Sequence, residues 1–282
     1  MIAFLGTGLM GAGFVHALLD RDEPVTVWNR TPSKALALAA AGARVTGTPS
    51  DAVRGAQRVH LSLLDDAAVD DVLARCLSSL ERGTVIVDHS TTAPHPTAER
   101  ARRLAQAGVA FLHAPVFMGP ANARAVTGLM LVAGPRGVYD GVRHELERMT
   151  GKVRYLGERP DVAAVYKLVG NLTLMFVVSG LADAFTLARG LGVDPREVHT
   201  LFDDFDPGGQ VQGRGKRMIE GNFEPSFELI AARKDTRLML EAAVVTGTTL
   251  HVLPAIAHRL DEDIAAGHGH DDLASIGAVD MR

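Results

Sequence analysis

The sequence predicts an α/β protein. An N-terminal, doubly wound, mostly parallel Rossmann sheet is expected over residues 1–158, and an all-α C-terminal domain that begins with a long connecting helix over 159–282. Three observations predict this. Short apolar, β-rich runs alternate with helical patterns through the first half, the signature of βαβ units. The first of these runs leads into a G-x-G-x-x-G loop and then a helix. After about Arg159 the strand signal fades, and long apolar-periodic segments follow, separated by breaks containing Gly or Pro.

The strand candidates are Ile2–Leu5, Val25–Asn29, Arg58–Leu64, Thr84–Asp88, Val109–His113, Leu129–Ala133 and Val153–Leu156. Helical patterns lie between them, over Met10–Leu19, Ser33–Ala41, Ala67–Leu77 and Thr97–Ala107. The first strand is almost wholly apolar, as expected for one covered on both faces. In the second half the helical candidates are Val162–Leu191, Pro195–Phe205, Phe227–Val245 and Leu253–Ala266. Asp194 ahead of Pro195 reads as an N-cap with proline in the first turn.

Composition bounds the function. The chain has 282 residues, 47% hydrophobic and 22% charged, so it can bury a sizeable core. Its net charge of −4 and lack of a basic block argue against a nucleic-acid partner or an anionic membrane surface. The single cysteine, Cys76, cannot form an internal disulfide. The opening MIAFLGTGLMG lacks the basic region of a signal peptide. The most apolar stretch, between Lys167 and Asp183, contains Asn171 and falls short of the about 20 residues of a membrane span. A soluble, cytoplasmic protein is expected.

Each glycine of the loop has its own job. Gly6 permits the tight turn, Gly8 lets the backbone approach a pyrophosphate, and Gly11 lets helix and strand pack closely. The helix that starts at Leu9 and Met10 aims its free N–H groups at the phosphates. At the end of the second strand, where NAD-binding proteins usually carry an acid for the ribose 2′-OH, the chain reads Asn29-Arg30-Thr31. A guanidinium gains charge-assisted hydrogen bonds from a 2′-phosphate that a carboxylate would repel. NADP(H) is therefore expected over NAD(H).

Four more segments stand out: Asp88-His89-Ser90-Thr91, Ala114-Pro115-Val116-Phe117-Met118-Gly119, Lys167-Leu168-Val169-Gly170-Asn171, and Lys234-Asp235. The first two lie at carboxyl ends of strands, where open α/β sheets bind ligands. Lys167 and Asn171 are i, i+4 and share a helix face. Spacing alone leaves open a Lys that reaches out to water beside a solvated Asn.

With G-T-G-L-M-G, D-H-S-T, K-L-V-G-N and K-D in this order, the chain resembles the β-hydroxyacid dehydrogenase family over nearly its whole length. The resemblance implies a Rossmann domain, a long connecting helix and a helical domain used for homodimer or homotetramer formation. It implies that Lys167 is the catalytic lysine and that Asn171 orients the substrate. Thr91 would lie near the nicotinamide, and Lys234 would reach cofactor or substrate, with Asp235 orienting it. Leu63 and Leu64 match the backbone segment that passes over the cofactor. Ser90 and Gly119 would help hold the substrate.

Two departures matter. The family's substrate loop commonly reads P-V-S-G-G, whereas here Phe117 and Met118 replace its serine and first glycine. That removes a hydroxyl, adds apolar bulk and points to a bulkier or more apolar carbonyl than a small hydroxyacid. Ala68 stands where some members carry a cofactor-contacting Asn.

The implied chemistry is hydride transfer between nicotinamide and a hydroxyacid, semialdehyde or ketoacid. A lysine with its ordinary pKa near 10.4 starts protonated and suits the general acid of a reduction. The alternatives are an imine reductase, against which the lysine counts, and a non-catalytic NADP-binding regulator. His89 and His113 fall beside the site, either touching substrate or structural. His268-Gly269-His270 reads as a solvated loop, and no metal is expected.

Overall fold

The computed structural model describes residues 1–278. Strands β1 (Ile2–Leu5), β2 (Val25–Trp28), β3 (Arg44–Val45), β4 (Arg58–Leu61), β5 (Val85–Asp88) and β6 (Ala110–His113) form one parallel sheet in the order β3-β2-β1-β4-β5-β6. The order reverses between β1 and β4, each of whose residues is paired from Ile2 with Arg58 to Leu5 with Leu61. At such a reversal the carboxyl ends of the strands open a crevice.

Helices α1 (Leu9–Leu19), α2 (Pro32–Leu36), α3 (Pro49–Val53), α4 (Asp66–Cys76) and α5 (Pro94–Gln106) supply the crossovers. Successive side chains of a strand point to opposite faces, so β1 splits its residues between two cores. Phe4 packs with Phe14, Leu18 and Leu112 on one face; Ala3 and Leu5 pack with Val72, Leu73, Cys76 and Ile86 on the other. Burial pushes the Cys76 thiol up to about 11, which suits a packing rather than a reactive role.

The remaining strands depart from the expectation of one continuous sheet. The chain continues through β7 (Val116–Phe117), α6 (Pro120–Arg124), β8 (Leu129–Val132), α7 (Arg136–Glu147) and β9 (Lys152–Tyr155). Strands β7, β8 and β9 form a separate sheet, antiparallel at β7–β8 and parallel at β8–β9. Among the described residues, a single bridge, His113 with Ala133, joins β6 to it.

Helix α8 (Pro160–Gly190) runs for 31 residues. Two compact units meet inside it: Met1–Leu172, and Thr173 onward. By compactness the division falls within α8. The physical reason is that its first turns belong to the first unit, with Ala163 buried against Leu131 and Ala133.

The second unit is helical: α9 (Pro195–His199), α10 (Leu201–Asp204), α11 (Gly209–Glu220), α12 (Leu229–Thr246) and α13 (Leu253–Asp263). The segment expected as one helix over 195–205 is two short ones, and the last helix passes into a wider turn over Ile264–His268, with Gly267 at φ +99°. Asp194 caps α9, accepting from the Arg196 N–H at 2.8 Å. Two acids hold this unit. Asp183 accepts the backbone N–H groups of His251, Val252 and Leu253 at 2.8–3.0 Å. Buried Asp272 accepts from Ser226 N and Oγ, Phe227 N and Ala274 N, and pairs with Arg214 and Arg217.

Candidate active site

At the end of β1 the chain turns through Gly6 with φ +98°. A Cβ there would lie 2.2 Å from the Ser62 carbonyl oxygen, and one on Gly11 would lie 2.0 Å from the Gly6 carbonyl oxygen. Turn, β4 and α1 are thus closed on one another at distances only glycine permits. A Cβ on Gly8 would meet nothing within 4 Å. Gly8 is also the N-cap of α1 and offers no side-chain cap, so the first-turn N–H groups remain available. Thr7 Oγ1, at the same turn, is buried with no hydrogen-bond partner among the described residues. An open backbone cradle at a helix N-terminus with an orphaned hydroxyl fits the pyrophosphate of a dinucleotide.

A groove of about 430 Å³ extends from this turn. It brings together Gly6, Gly8, Leu9 and Met10 of the turn, Asn29, Arg30 and Thr31 after β2, and Leu63 and Leu64 after β4, with Ala68 on α4. Gly11 supports the turn from beneath and does not line the groove. Asn29 is a clamp: its Oδ1 accepts from Thr7 N–H and its Nδ2 donates to Thr31 O, each at 2.9 Å. Lys34, in the first turn of α2, lines the same groove. Its signal in the sequence is a second cation four residues after Arg30. Neither Arg30 nor Lys34 has an ion-pair partner among the described residues, and both are exposed.

A second cavity, about 160 Å³, shares Met10, Ser62 and Leu63 with the groove. Ser90, Thr91, Val116, Met118 and Lys167 complete it, with His89 and Phe14. The ends of β4 and β5 are tied together where Ser90 Oγ accepts from Leu63 N–H at 2.9 Å. Lys167, half-buried on α8, donates from Nζ to Val116 O at 2.7 Å, and its Nζ lies 4.2 Å from the Phe117 ring centroid. Burial lowers its pKa. Three other candidates do not line this cavity. Asn171 lies half-buried one turn further along α8. Phe117 turns its ring toward Gly170. Gly119 N–H donates to Asn122 Oδ1 at 3.0 Å.

Beneath the cavity is a buried polar layer. Arg58 Nε donates to His60 Nε2 at 2.8 Å, and His60 and His89 share a hydrogen bond between Nδ1 and Nε2 at 2.9 Å. His89 Nδ1 reaches Ala114 O at 2.8 Å. Burial drives both histidines down, His89 to about 4. His113 contacts Ser90 O and Thr92 Oγ1 through Nε2, so its role here is to hold the backbone behind Ser90. Burial raises Asp88, against the pull of His113 and Ser90.

Lys234 and Asp235 belong to the second unit, on α12, where they pair at 2.9 Å. His268 Nδ1 contacts Asp271 at 2.7 Å, and His270 lies 3.5 Å from Glu228.

A 3-2-1-4-5-6 parallel sheet with this glycine turn and groove defines a dinucleotide-binding protein. Two family profiles match the chain: the NAD-binding domain of 6-phosphogluconate dehydrogenase over residues 1–157, and the NAD-binding region of NADP-dependent 3-hydroxyisobutyrate dehydrogenase over residues 162–279. The chain belongs to the β-hydroxyacid dehydrogenase family of NAD(P)-binding oxidoreductases.

It is 31% identical to the cytokine-like nuclear factor N-PAC of Xenopus tropicalis, over 85% of this chain and 45% of that protein. The chain thus spans less than half the length of that relative. It is 26% identical to the uncharacterized oxidoreductase YfjR of Bacillus subtilis, over 98% of both chains. Among solved structures, a Streptomyces aurantiacus imine reductase superposes with a TM-score of 0.91 and 28% identity, over 100% of this chain and 99% of that one.

Proposed function

We propose that this protein is an NADP(H)-dependent reductase of carbonyl compounds, with Lys167 as proton donor. The observation that carries the reading is the Lys167 amine in a small cavity that shares three wall residues with the dinucleotide groove. The nicotinamide cofactor, when bound, supplies the hydride. The chain supplies position and a proton. The open N–H groups at the start of α1 would hold the pyrophosphate, and Arg30 and Lys34 the 2′-phosphate. Lys167 gives its proton to the oxygen that gains charge as a carbonyl is reduced, a contribution of about 10²–10⁴-fold. Asn171, Thr91 and Ser90 orient the reactants.

The substrate is a carbonyl compound with an apolar body rather than a small hydroxyacid or glyoxylate. Met118 forms a cavity wall, and the Gly119 N–H that could bind a carboxylate is engaged by Asn122. A screen of NADPH oxidation over semialdehydes, glyoxylate and bulkier ketoacids tests this. Turnover only on the smallest acids contradicts the substrate class, and none on any carbonyl contradicts the activity.

A second reading, imine reduction, is favoured by the whole-chain likeness to the Streptomyces enzyme. Cyclic imines in the same screen separate the two.

The working form is a homodimer or homotetramer in the cytoplasm. By length and composition α8 is long enough and apolar enough to cross a membrane. Its Leu172, Leu174, Met175, Phe176, Val177 and Val178 are more than half exposed. A patch of that kind supports coverage by a second copy. Light scattering on the purified protein tests it, and a monomer at micromolar concentration contradicts it.

A further inference from the structure

Phe117 belongs to the loop beside the smaller cavity but does not line it. Its ring lies against α8: a Cβ on Gly170 would fall 2.3 Å from Phe117 Cζ. Only glycine at 170 leaves room for the ring, so the two positions depend on each other. The ring is also anchored from behind, packed against the cluster of Leu131, Ala133 and Ala163. Its backbone is fixed in β7, paired with Leu129 of β8. The face of this held ring meets the Lys167 amine at 4.2 Å, and Val116 O accepts from the same amine at 2.7 Å.

We propose that Phe117, seated on Gly170, is a positioning residue that holds the Lys167 ammonium at the cavity wall and keeps it charged. The two contacts differ in what they recognise. A carbonyl accepts a hydrogen bond from ammonium or amine alike, but the negative face of an aromatic ring attracts the cation and not the neutral amine. An ammonium has three donors. Val116 O takes one, and the remainder are left for a reactant. Burial works in the opposite direction, favouring the neutral amine. The ring therefore offsets the cost of placing a cation in a half-buried apolar site.

Among the described residues, no carboxylate does this work. Around the amine, β5 contributes His89, held neutral, with Asp88 and His113 behind Ser90. On α8 lie Tyr166, under the guanidinium of Arg154 from β9, and Asp161, paired with Arg159. The residues of α1 and β7 that face the cavity, Met10, Phe14 and Val116, carry no titratable group.

The consequence for turnover rests on Lys167 being the proton donor; the holding itself does not. The test separates them. The chain has five lysines, so ¹³C-lysine labelling with a Lys167→Met control assigns the Lys167 ε-carbon, whose shift reports its titration. Phe117→Leu keeps an apolar side chain but removes the ring. It should lower the Lys167 midpoint by about one pH unit, the range expected for a partly desolvated cation–ring contact. Phe117→Tyr should leave it within a few tenths of a unit.

Gly170→Ala, which leaves Phe117 in the sequence but displaces its ring, should shift the midpoint in the same direction and decides the matter if Phe117→Leu does not fold. Unmoved midpoints in Phe117→Leu and Gly170→Ala, or equal shifts in Phe117→Leu and Phe117→Tyr, overturn the holding role. A midpoint that moves while the alkaline limb of turnover stays in place leaves the holding role standing and removes Lys167 as proton donor.

Discussion

His60 Nδ1 and His89 Nε2 lie 2.9 Å apart inside the sheet, their ring planes within 9° of parallel. The neighbouring contacts leave one arrangement of protons. Arg58 Nε can only donate, so His60 Nε2 accepts and the His60 proton sits on Nδ1. That proton points at His89 Nε2, which places the His89 proton on Nδ1, facing Ala114 O. Both rings must be neutral, since a further proton would set N–H against N–H. The run ends on the backbone just before Val116, whose carbonyl accepts from Lys167.

Stability should therefore fall on mild acidification. Above pH 6.5 the histidine is neutral in both folded and unfolded chains and contributes no pH dependence. As pH drops below 6.5 the unfolded chain takes up a proton that folded His89, at about 4, refuses. The expected loss is about 2 kcal/mol by pH 5 and about 3 kcal/mol by pH 4, from 1.36 kcal/mol per unit. Urea unfolding at pH 7.5, 6 and 5 reads it. A constant unfolding free energy across that range contradicts a neutral buried pair.

Arg30→Ala should weaken NADPH binding by about 10–100-fold, the loss of a hydrogen bond to a charged partner, and change NADH binding little. Lys34→Ala should act in the same direction. Calorimetric titration of each variant with both nucleotides checks it. Equal losses for the two nucleotides would show that the 2′-phosphate is not read at these side chains.

Much of this site was legible because its parts are local. The glycine turn, the Asn29-Arg30-Thr31 strand end and the Lys167–Asn171 helix face are each contiguous or one turn apart, and a period or motif finds them. What escaped depends on contacts between distant segments. Strands β3 and β7 have two residues each, too few to show alternation. The small mixed sheet depends on pairings of Val116 with Met130 and Leu129 with Lys152, which no local pattern encodes. Phe117 read as bulk in the substrate loop because nothing in sequence shows that Gly170, fifty-odd positions on, receives its ring.

The second unit should depend heavily on one carboxylate. Burial alone would raise the pKa of Asp272, but hydrogen bonds from Ser226, Ala274 and Phe227 hold it well below the usual carboxylate range. Its folded pKa is depressed, so its contribution is present above pH 4 and is lost as pH falls further. Asp272→Ala leaves Arg214 and Arg217 without their shared partner and several N–H groups unpaired. About 3–5 kcal/mol of destabilisation is expected, typical of breaking a buried ion pair. Thermal unfolding measures it, and a melting temperature within a degree of wild type contradicts the assignment.

Lys167→Ala should lower turnover by at least about 10² while the dissociation constant for NADPH stays near wild type, because the amine lines the smaller cavity and not the groove. Lys167→Arg separates charge from proton donation: a guanidinium keeps the cation but, being a far weaker acid than an ammonium, does not release a proton at working pH. If Lys167 acted only by attracting the developing oxyanion, the arginine variant would recover much of the rate; as proton donor it should not. In the wild type, burial places the Lys167 pKa below its ordinary value, so reduction should decline on the alkaline side before pH 10.4. The alanine variant should lose that decline along with its rate. A residual activity in Lys167→Ala with the same alkaline limb would assign the limb to another group and leave the lysine without its role.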